Sequence, residues 1–268
     1  ILYSDDPGAH WQQAQVPVSA DLNGVSFATP ELGWAVGHDG VVLHSRDGGV
    51  HWHKQLDGRA LAEQLPAAAT DNSLLDVWFS DARNGYAVGV FNLLLRTTDG
   101  GEHWQPWLDH SDNPQGLHLT SLAAVGDDLY ITGEQGLLLK WSGARFSRVD
   151  TPYAGTLFGA VGKPGVLLVY GLRGHAYRST DGGQQWQPVN TGINTSLTAA
   201  GVDRNGQLWL ASQAGDLLLS RDDGASFSQV PQSARGPVTA LVSDTGNGLV
   251  LVGERGVRNQ AGNPTQHP

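Results

Sequence analysis

The chain lacks several of the residues that usually reveal a protein's chemistry. Its 268 residues include no cysteine, which excludes disulfide bonds and thiol nucleophiles and leaves the redox compartment undefined. Charged residues make up only 16%, the net charge is -10, and the 16 Lys and Arg residues are scattered. Because nucleic-acid binding needs clustered cationic side chains that neutralise phosphates, we predict that nucleic acid is not a partner.

Methionine is absent too, and so is any long apolar run. The sequence starts ILYSDD, without an initiator Met, so we expect that a preceding segment such as an export signal has been lost. No apolar run approaches the roughly 18 residues that a membrane-spanning helix requires. The sequence therefore predicts no membrane span.

Glycine, in contrast, is plentiful, with 36 residues. It separates short apolar runs such as VSFATP (25–30), WAVG (34–37) and VVLHS (41–45). The stretch GHDGV (37–41) contains the Asp-Gly pair that is typical of a two-residue hairpin turn. This pattern predicts many short antiparallel strands that are joined by tight turns.

One motif, SRDGGVHW (45–52), recurs along the chain with a hydroxyl residue, an Asp, a Gly and an aromatic residue at fixed spacing. The interval is 41 residues from Ser4 to Ser45 and again from Ser179 to Ser220. A degenerate copy, LLLKWSGARF (137–146), keeps the closing aromatic residue but lacks the Asp. A motif that repeats at such an interval belongs to a repeat architecture before it belongs to a reaction.

Four short strands in a repeat of about 40 residues form one blade of a β-propeller. The predicted fold is therefore all-β, a β-propeller of four-stranded antiparallel blades, with seven blades favoured and six as the alternative. The predicted domain covers residues 1–257, followed by a flexible tail over 258–268. Within it we expect a partial first blade over 1–21 and blades that start near residues 22, 74, 119, 156, 197 and 237.

We interpret the recurring motif as a structural fastening of the turn between the third and fourth strands. Short hydroxyl and carboxylate side chains accept hydrogen bonds from the backbone of their own turn, and glycine permits the positive φ that such turns require. The residues assigned to this role are Ser4, Asp6, Gly8, Trp11, Ser45, Asp47, Gly49, Trp52, Thr97, Asp99, Gly101, Trp104, Ser179, Asp181, Gly183, Trp186, Ser220, Asp222, Gly224 and Phe227.

No catalytic residue, metal site or cofactor is predicted. A Ser-Asp pair in hydrolysis needs a positioned base, and we expect His51 and His103 to point away from their hydroxyl residues. His44, His51 and His53 could share one hairpin, but zinc needs three or four convergent ligands, so we interpret them as surface histidines.

The recurring motif is the Asp-box, or BNR repeat. Its pairing with the second-strand signatures GWAVG (33–37) and GYAVG (85–89) resembles the photosystem II stability and assembly factor family. The resemblance implies a seven-bladed, exported, non-enzymatic helper that holds a membrane-protein subunit during assembly. It implies a periplasmic or otherwise exported location and a protein partner in a membrane complex. The acidic charge departs from the arginine-rich face of the photosynthetic members. We therefore expect the branch from non-photosynthetic bacteria, whose members resemble periplasmic accessories of membrane exporters.

Strand alternation places the turns between second and third strands, together with the links between blades, on the face opposite the Asp-boxes. Because loops on a rigid scaffold carry recognition, we predict partner binding on this face. Two long links, 57–72 and 107–119, border it; the first is expected to form a helical turn or two before Pro66, and deletion of 59–70 is expected to leave the fold intact. The candidate residues are His38, Phe91, Glu134, Arg173, Arg255 and Trp107.

The alternative function is a sialidase-like or other glycoside hydrolase, or a carbohydrate-binding BNR propeller. Sialidases use an arginine trio, the first member within an Arg-Ile-Pro motif, and a Tyr nucleophile. The chain has no Arg-Ile-Pro, and no Tyr falls on the predicted first strands. The sequence therefore favours the scaffold.

Overall fold

The computed structural model describes residues 1–6, 8, 10–65, 72–232, 235–243 and 248–260. The strands are β1 (Leu2–Tyr3), β2 (Gln12–Gln13), β3 (Leu22–Phe27), β4 (Gly33–Gly37), β5 (Val42–Ser45), β6 (His53–Leu56), β7 (Leu74–Phe79), β8 (Gly85–Gly89), β9 (Leu94–Thr97), β10 (Gln105–Pro106), β11 (Leu119–Val125), β12 (Asp128–Gly133), β13 (Leu138–Trp141), β14 (Phe146–Val149), β15 (Leu157–Lys163), β16 (Val166–Gly171), β17 (Ala176–Ser179), β18 (Gln187–Val189), β19 (Leu197–Val202), β20 (Leu208–Ser212), β21 (Leu217–Ser220), β22 (Ser228–Gln229), β23 (Ala240–Ser243), β24 (Leu249–Gly253) and β25 (Gly256–Gln260). One α-helix, α1 (Gly58–Gln64), follows β6.

The strands form an all-β propeller of antiparallel blades. Blades 1 to 5 are the four-stranded sheets β3–β6, β7–β10, β11–β14, β15–β18 and β19–β22, and blade 6 is the three-stranded sheet β23–β25. The first strands of consecutive blades contact one another from β3 to β23. The buried cores lie between neighbouring blades, as where Trp34 of blade 1 packs with Val77 and Phe79 of blade 2.

The favoured count of seven blades is wrong for the described residues, which form six. The residues before blade 1 contribute only β1 and β2, which pair with each other in a separate two-stranded sheet. This sheet packs beside blade 1, where Ile1 and Tyr3 contact the buried cluster of Leu43 and Trp52. It lacks the two inner strands that would make it a blade.

The six blades consequently leave a cavity of about 700 Å³ beside blade 1, lined by Tyr3, Val25, Phe27 and Val252 among others. Val25 is 61% exposed, whereas Val77 at the equivalent position of blade 2 is 3% exposed. Phe27 and Val252 are exposed as well. The apolar residues that blades 1 and 6 direct into this cavity are therefore only partly covered.

Two other expectations about the chain ends and links need correction. Arg258 to Gln260, expected in the flexible tail, belong to β25, and residues 261–268 lie outside the described residues.

The helix expected in link 57–72 is α1, capped by Asp57, whose carboxylate accepts from the Ala60 N–H. Its Leu61 is 1% exposed within the core, so deletion of 59–70 would remove a core side chain. Residues 66–71 of this link lie outside the described residues.

Each of the first five blades begins with the same local irregularity. A register shift interrupts the pairing of the first strand with the second, for example between Leu22 and Gly24 and between Leu119 and Ser121. Such a bulge turns one extra side chain out of the ladder. At three blades this side chain donates to the next blade: Asn23 to the Leu74 carbonyl, Thr120 to the Leu157 carbonyl and Thr198 to the Val238 carbonyl.

The other junctions use different side chains for the same purpose. Asp76 of β7 accepts hydrogen bonds from the backbone N–H groups of Val77 and, in blade 3, of Leu122. Lys163 donates to the Gly206 carbonyl, which joins blade 4 to blade 5. Hydrogen bonds between side chains and main chain thus connect the blades in series, from blade 1 to blade 6, near their first strands.

Asp76 supplies the one carboxylate among these five contacts. Asp76 is partly buried at the junction of the blades, and this burial raises the pKa of its carboxyl group to about 6, although the hydrogen bonds from Leu122 and Val77 oppose the shift. The folded state therefore binds a proton at Asp76 more strongly than the unfolded chain does. Its contribution to stability is complete below pH 4 and is lost as the pH rises through about 6.

We expect the free energy of unfolding to fall by about 2 kcal/mol from this group between pH 4 and pH 7. In Asp76→Asn this component should vanish, because the amide is neutral and its oxygen still accepts a backbone hydrogen bond. Urea unfolding followed by tryptophan fluorescence at both pH values measures it. Parallel pH dependence in the two proteins would contradict the assignment.

The buried Phe79 and the exposed Phe27 occupy equivalent positions and form a matched pair. Phe79 stacks on Trp34 with ring centroids 3.5 Å apart and is 5% exposed, whereas Phe27 is 43% exposed. We expect Phe79→Ala to lower the free energy of unfolding by about 3–5 kcal/mol and Phe27→Ala by roughly 1 kcal/mol. Equal losses in denaturant titrations would mean that the cavity beside blade 1 is closed in solution.

Candidate partner-binding face

The five Asp-boxes lie on one face of the propeller, in the turns between third and fourth strands and at β1–β2, and each uses the same hydrogen bonds. In blade 1, the Ser45 hydroxyl donates to Asp47 Oδ1 at 2.9 Å and accepts from the Gly49 N–H at 2.9 Å. The same carboxylate oxygen accepts from the His51 N–H. The hydroxyl residues Ser4, Thr97, Ser179 and Ser220 repeat these contacts with their own Asp and Gly.

The order of groups within the Asp-box differs from that of a catalytic triad. His51 Nδ1 lies 2.7 Å from Asp47 Oδ2, so the carboxylate separates the imidazole from the Ser45 hydroxyl. In a Ser-His-Asp triad the imidazole lies between the other two groups and takes the serine proton. Hydrogen bonds from the main chain and the ring of His51 lower the pKa of Asp47 to about 2, which keeps the carboxylate charged as an acceptor.

The other histidines weighed as metal ligands do not form a site either. His44 is 7% exposed and its ring stacks on Trp34 with centroids 4.7 Å apart. Burial lowers the pKa of His44. His53 lies opposite it in the hairpin, while His51 is bonded to Asp47. Over the part of the chain that the structure describes, no group of three or more ionisable ligands is arranged to hold a metal ion.

The opposite face, which we call the turn face, consists of the turns between second and third strands and the links between blades. In four blades the turn places a residue other than glycine at positive φ, as with Phe91 at 51° and Arg173 at 57°. This left-handed conformation is costly for ordinary side chains. Asp39 of blade 1 and Gln135 of blade 3 share it, so the conformation follows from the turn geometry of the blade.

The structure places five of the six predicted binding residues in these turns. His38, Phe91, Arg173 and Arg255 are exposed, and Glu134 is partly buried. Glu134 accepts a hydrogen bond from the His118 N–H at 2.9 Å, so it also fixes the link before blade 3. The five residues belong to different blades and are not brought into one pocket.

Trp107, the sixth residue, differs from the others because several neighbouring side chains pack against its ring. The Arg96 guanidinium lies 4.4 Å above its ring centroid, and the His110 ring stacks on it at 4.1 Å. Its remaining neighbours include Tyr86 and Trp141 in the core of blades 2 and 3. The ring of Trp107 is therefore partly covered, unlike the exposed residues of the turns.

The sequence interpretation missed how the turn face is supported. Ser111 and Asn113, 8% and 4% exposed, both donate to the side chain of Asn92, which ties the link before blade 3 to the turn of blade 2. Asn92 also has positive φ, at 61°. Alignment of Phe91–Asn92 with the Asp39–Gly40 turn could have predicted the conformation, but no sequence signal marks the contacts.

A family model described as "Photosynthesis system II assembly factor YCF48" matches residues 4–65 and 61–193 of this chain. The chain belongs to the photosynthesis system II assembly factor YCF48 family. The matched residues include four of the five Asp-boxes and the second-strand signatures GWAVG and GYAVG.

Two curated relatives illustrate the range of the YCF48 family. The chain is 27% identical over 272 residues to "Photosystem II assembly lipoprotein Ycf48" of Synechococcus sp. (strain CC9902), covering 96% of this chain and 77% of the relative. It is 25% identical over 247 residues to "Photosystem II stability/assembly factor HCF136, chloroplastic" of Arabidopsis thaliana, covering 88% of this chain. The chain spans about half of that second protein, since the match covers 53% of its length.

Solved structures share the fold. "YCF48 bound to D1 peptide" superposes with a TM-score of 0.70 at 21% identity, covering 92% of this chain and 80% of that one. Virginiamycin B lyase from Staphylococcus aureus, an enzyme by its name, superposes with a TM-score of 0.72 at 11% identity, covering 96% and 88%. The fold alone therefore does not separate binding proteins from enzymes. No helix among the described residues has the length and apolar character to cross a membrane.

The structural role of the Asp-box can be tested at Ser45, which is fully buried. We expect Ser45→Ala to lower the free energy of unfolding by about 1–3 kcal/mol, because the buried Gly49 N–H loses its acceptor. Ser45→Thr is the matched control, since Thr97 makes the same contacts in blade 2, and it should be nearly neutral. Thermal unfolding of both variants distinguishes this role from that of a solvent-exposed hydroxyl, for which neither change would matter.

Proposed function

We propose that this chain is a non-enzymatic, exported scaffold that binds a protein partner through its turn face, as an assembly or accessory factor for a membrane complex. One observation carries the proposal. The hydroxyl and carboxylate groups of the Asp-boxes are bonded within their own turns, whereas the turn face presents exposed side chains on a fixed backbone. Such a surface suits docking better than bond cleavage.

The relatives support the same function. Their names describe photosystem II assembly proteins, and one solved YCF48 holds a D1 peptide. A ligand of this kind for the present chain would be a peptide segment of a membrane-protein subunit. Within this proposal the subunit belongs to a photosystem or, in a non-photosynthetic bacterium, to a membrane exporter, and the protein acts in the periplasm or another exported compartment. The names of lipoprotein and chloroplast relatives fit export.

The proposed binding residues are His38, Phe91, Glu134, Arg173 and Arg255. They supply an aromatic ring, a carboxylate, an imidazole and two guanidinium groups from different blades, so a partner would have to cross the face rather than enter one pocket. Binding of an extended or folded protein segment across several blades fits this distribution.

The proposal is tested by charge reversal on the two faces. Arg173→Glu changes an exposed arginine of the turn face, and Arg145→Glu changes an exposed arginine beside the Asp-boxes, in the turn between β13 and β14. We expect Arg173→Glu to weaken cross-linking to the partner subunit in native membranes by about ten-fold, and Arg145→Glu to leave it unchanged. Residue-resolved mass spectrometry of the cross-links supplies the map.

Two results would count against the scaffold. If cross-links were confined to the Asp-box face and Arg173→Glu cross-linked as strongly as the parent protein, the binding surface would be the Asp-box face instead of the turn face. Turnover of fluorogenic glycosides by the purified protein would favour the hydrolase alternative.

A further inference from the structure

Phe91 is an exposed aromatic residue held in a costly backbone conformation. It is 60% exposed, and its φ of 51° and ψ of 45° lie in the left-handed region. The equivalent positions of blades 1, 3 and 4 also have positive φ but carry the polar residues Asp39, Gln135 and Arg173. An exposed Phe at this position gains little burial and loses the local hydrogen bonding that Asn or Asp would offer there.

The turn that carries Phe91 is fixed by hydrogen bonds to the link before blade 3. Asn92 accepts side-chain hydrogen bonds from Ser111 at 2.8 Å and Asn113 at 3.0 Å, and its N–H donates to the Leu117 carbonyl at 3.1 Å. Asn113 also donates to the Leu117 carbonyl and accepts from its N–H. Because these groups are nearly all buried, the position of the Phe91 backbone is determined before any partner arrives.

One side of the Phe91 ring is supported and the rest is in solvent. The ring meets the His118 ring edge to face, with centroids 4.6 Å apart at 88°. His118 is held in turn by Glu134, which accepts from its N–H and lies 3.8 Å from its Nδ1. A rigid aromatic side chain with a supported edge and an open face has the character of an interface anchor.

The elements that flank this turn are acidic. The turn of blade 1 carries Asp39, α1 carries Glu63, the link before blade 3 carries Asp109 and Asp112, and the turn of blade 3 carries Glu134. The main cation among these elements is Arg59 of α1, which lies 3.9 Å from Glu63. His38, His110 and His118 are the other basic groups, so the acidic groups outnumber the basic ones in these elements.

We propose that Phe91 is the anchor of a docking surface for a basic, aliphatic segment of the partner protein. This inference rests on the proposed function and specifies its partner. Aliphatic side chains would pack on the open face of the Phe91 ring, and lysine or arginine residues beside them would meet the carboxylates of the flanking turns. The charge of the surroundings argues against an acidic segment.

The test uses the full chain, short peptides and a variant that suits the turn. Phe91→Asn keeps a residue that favours positive φ, so the melting temperature should be unchanged or higher. Gln135→Asn makes the same replacement at the equivalent position of blade 3 and is the matched control. Fluorescence anisotropy is measured with labelled peptides of equal length, one alternating Leu and Lys, one alternating Leu and Glu, and one alternating Ser and Lys.

We expect the Leu-Lys peptide to bind the parent protein and the Gln135→Asn variant equally, and the Phe91→Asn variant at least about ten-fold more weakly. The Ser-Lys peptide should bind weakly to all three proteins, and the Leu-Glu peptide to none. Equal binding of the Leu-Lys peptide to Phe91→Asn and the parent protein would overturn the proposal, as would binding of the Leu-Glu peptide.

The native partner separates this inference from the proposed function. If cross-linking depends on Arg173 and not on Phe91, the proposed function is supported and the role of Phe91 as an anchor is contradicted. If the peptides depend on Phe91 but the native partner never cross-links to the turn face, the proposed function falls instead.

Discussion

Neighbouring first strands in this propeller are not joined by a continuous backbone ladder, so side chains must connect the blades. The connection is a set of hydrogen bonds between one blade's side chains and the next blade's main chain, and three of these side chains lie at the β-bulge of a first strand. Asn23, Thr120 and Thr198 make this contact in three blades, with Asp76 and Lys163 at two other junctions. Small residues beside them permit the close approach: a Cβ at Gly24 would lie 2.9 Å from Asp76 Cα. The apolar cores between blades can form only where these contacts set the spacing.

The cores depend on that spacing because they use large flat rings. Trp34 of blade 1 stacks on Phe79 of blade 2. The Trp34 Nε1 also donates to the carbonyl of Gly100, in blade 2, at 3.1 Å. Both contacts depend on the spacing between the two blades. On the side of blade 1 that faces the cavity, no inner strands of a neighbouring blade cover Val25 and Phe27. These residues remain partly in solvent, although the equivalent residues of blade 2 are buried. Burial in this fold is thus a property of the junction between blades more than of the blade itself.

Much of the fold could be predicted from the sequence because its signals are local and repeated. The Asp-Gly turns, the second-strand signatures and the spaced Asp-boxes each determine a hairpin, and hairpins in series determine antiparallel blades. The blade count could not be predicted, since it depends on whether Ile1–Ala20 pairs with other strands, which is a long-range property. The raised pKa of Asp76 was equally hidden, because the partial burial that causes it arises only where blade 2 meets its neighbours. The tail was misjudged because Arg258 and its neighbours are polar, although backbone pairing with β24 holds them in β25.

The two faces of the propeller differ in how strictly they determine their residues. On the Asp-box face, the hydrogen bonds require a hydroxyl group, a carboxylate and a glycine at fixed positions. The polar side chains are therefore engaged within their own turn. On the turn face the backbone demands only a positive φ, and Asp39, Phe91, Gln135 and Arg173 satisfy this demand with four different chemistries. A requirement that constrains conformation but not composition leaves the side chain free to be chosen for a partner. We therefore propose recognition on the turn face, because at these four positions the side chain can change while the backbone conformation of the turn is kept.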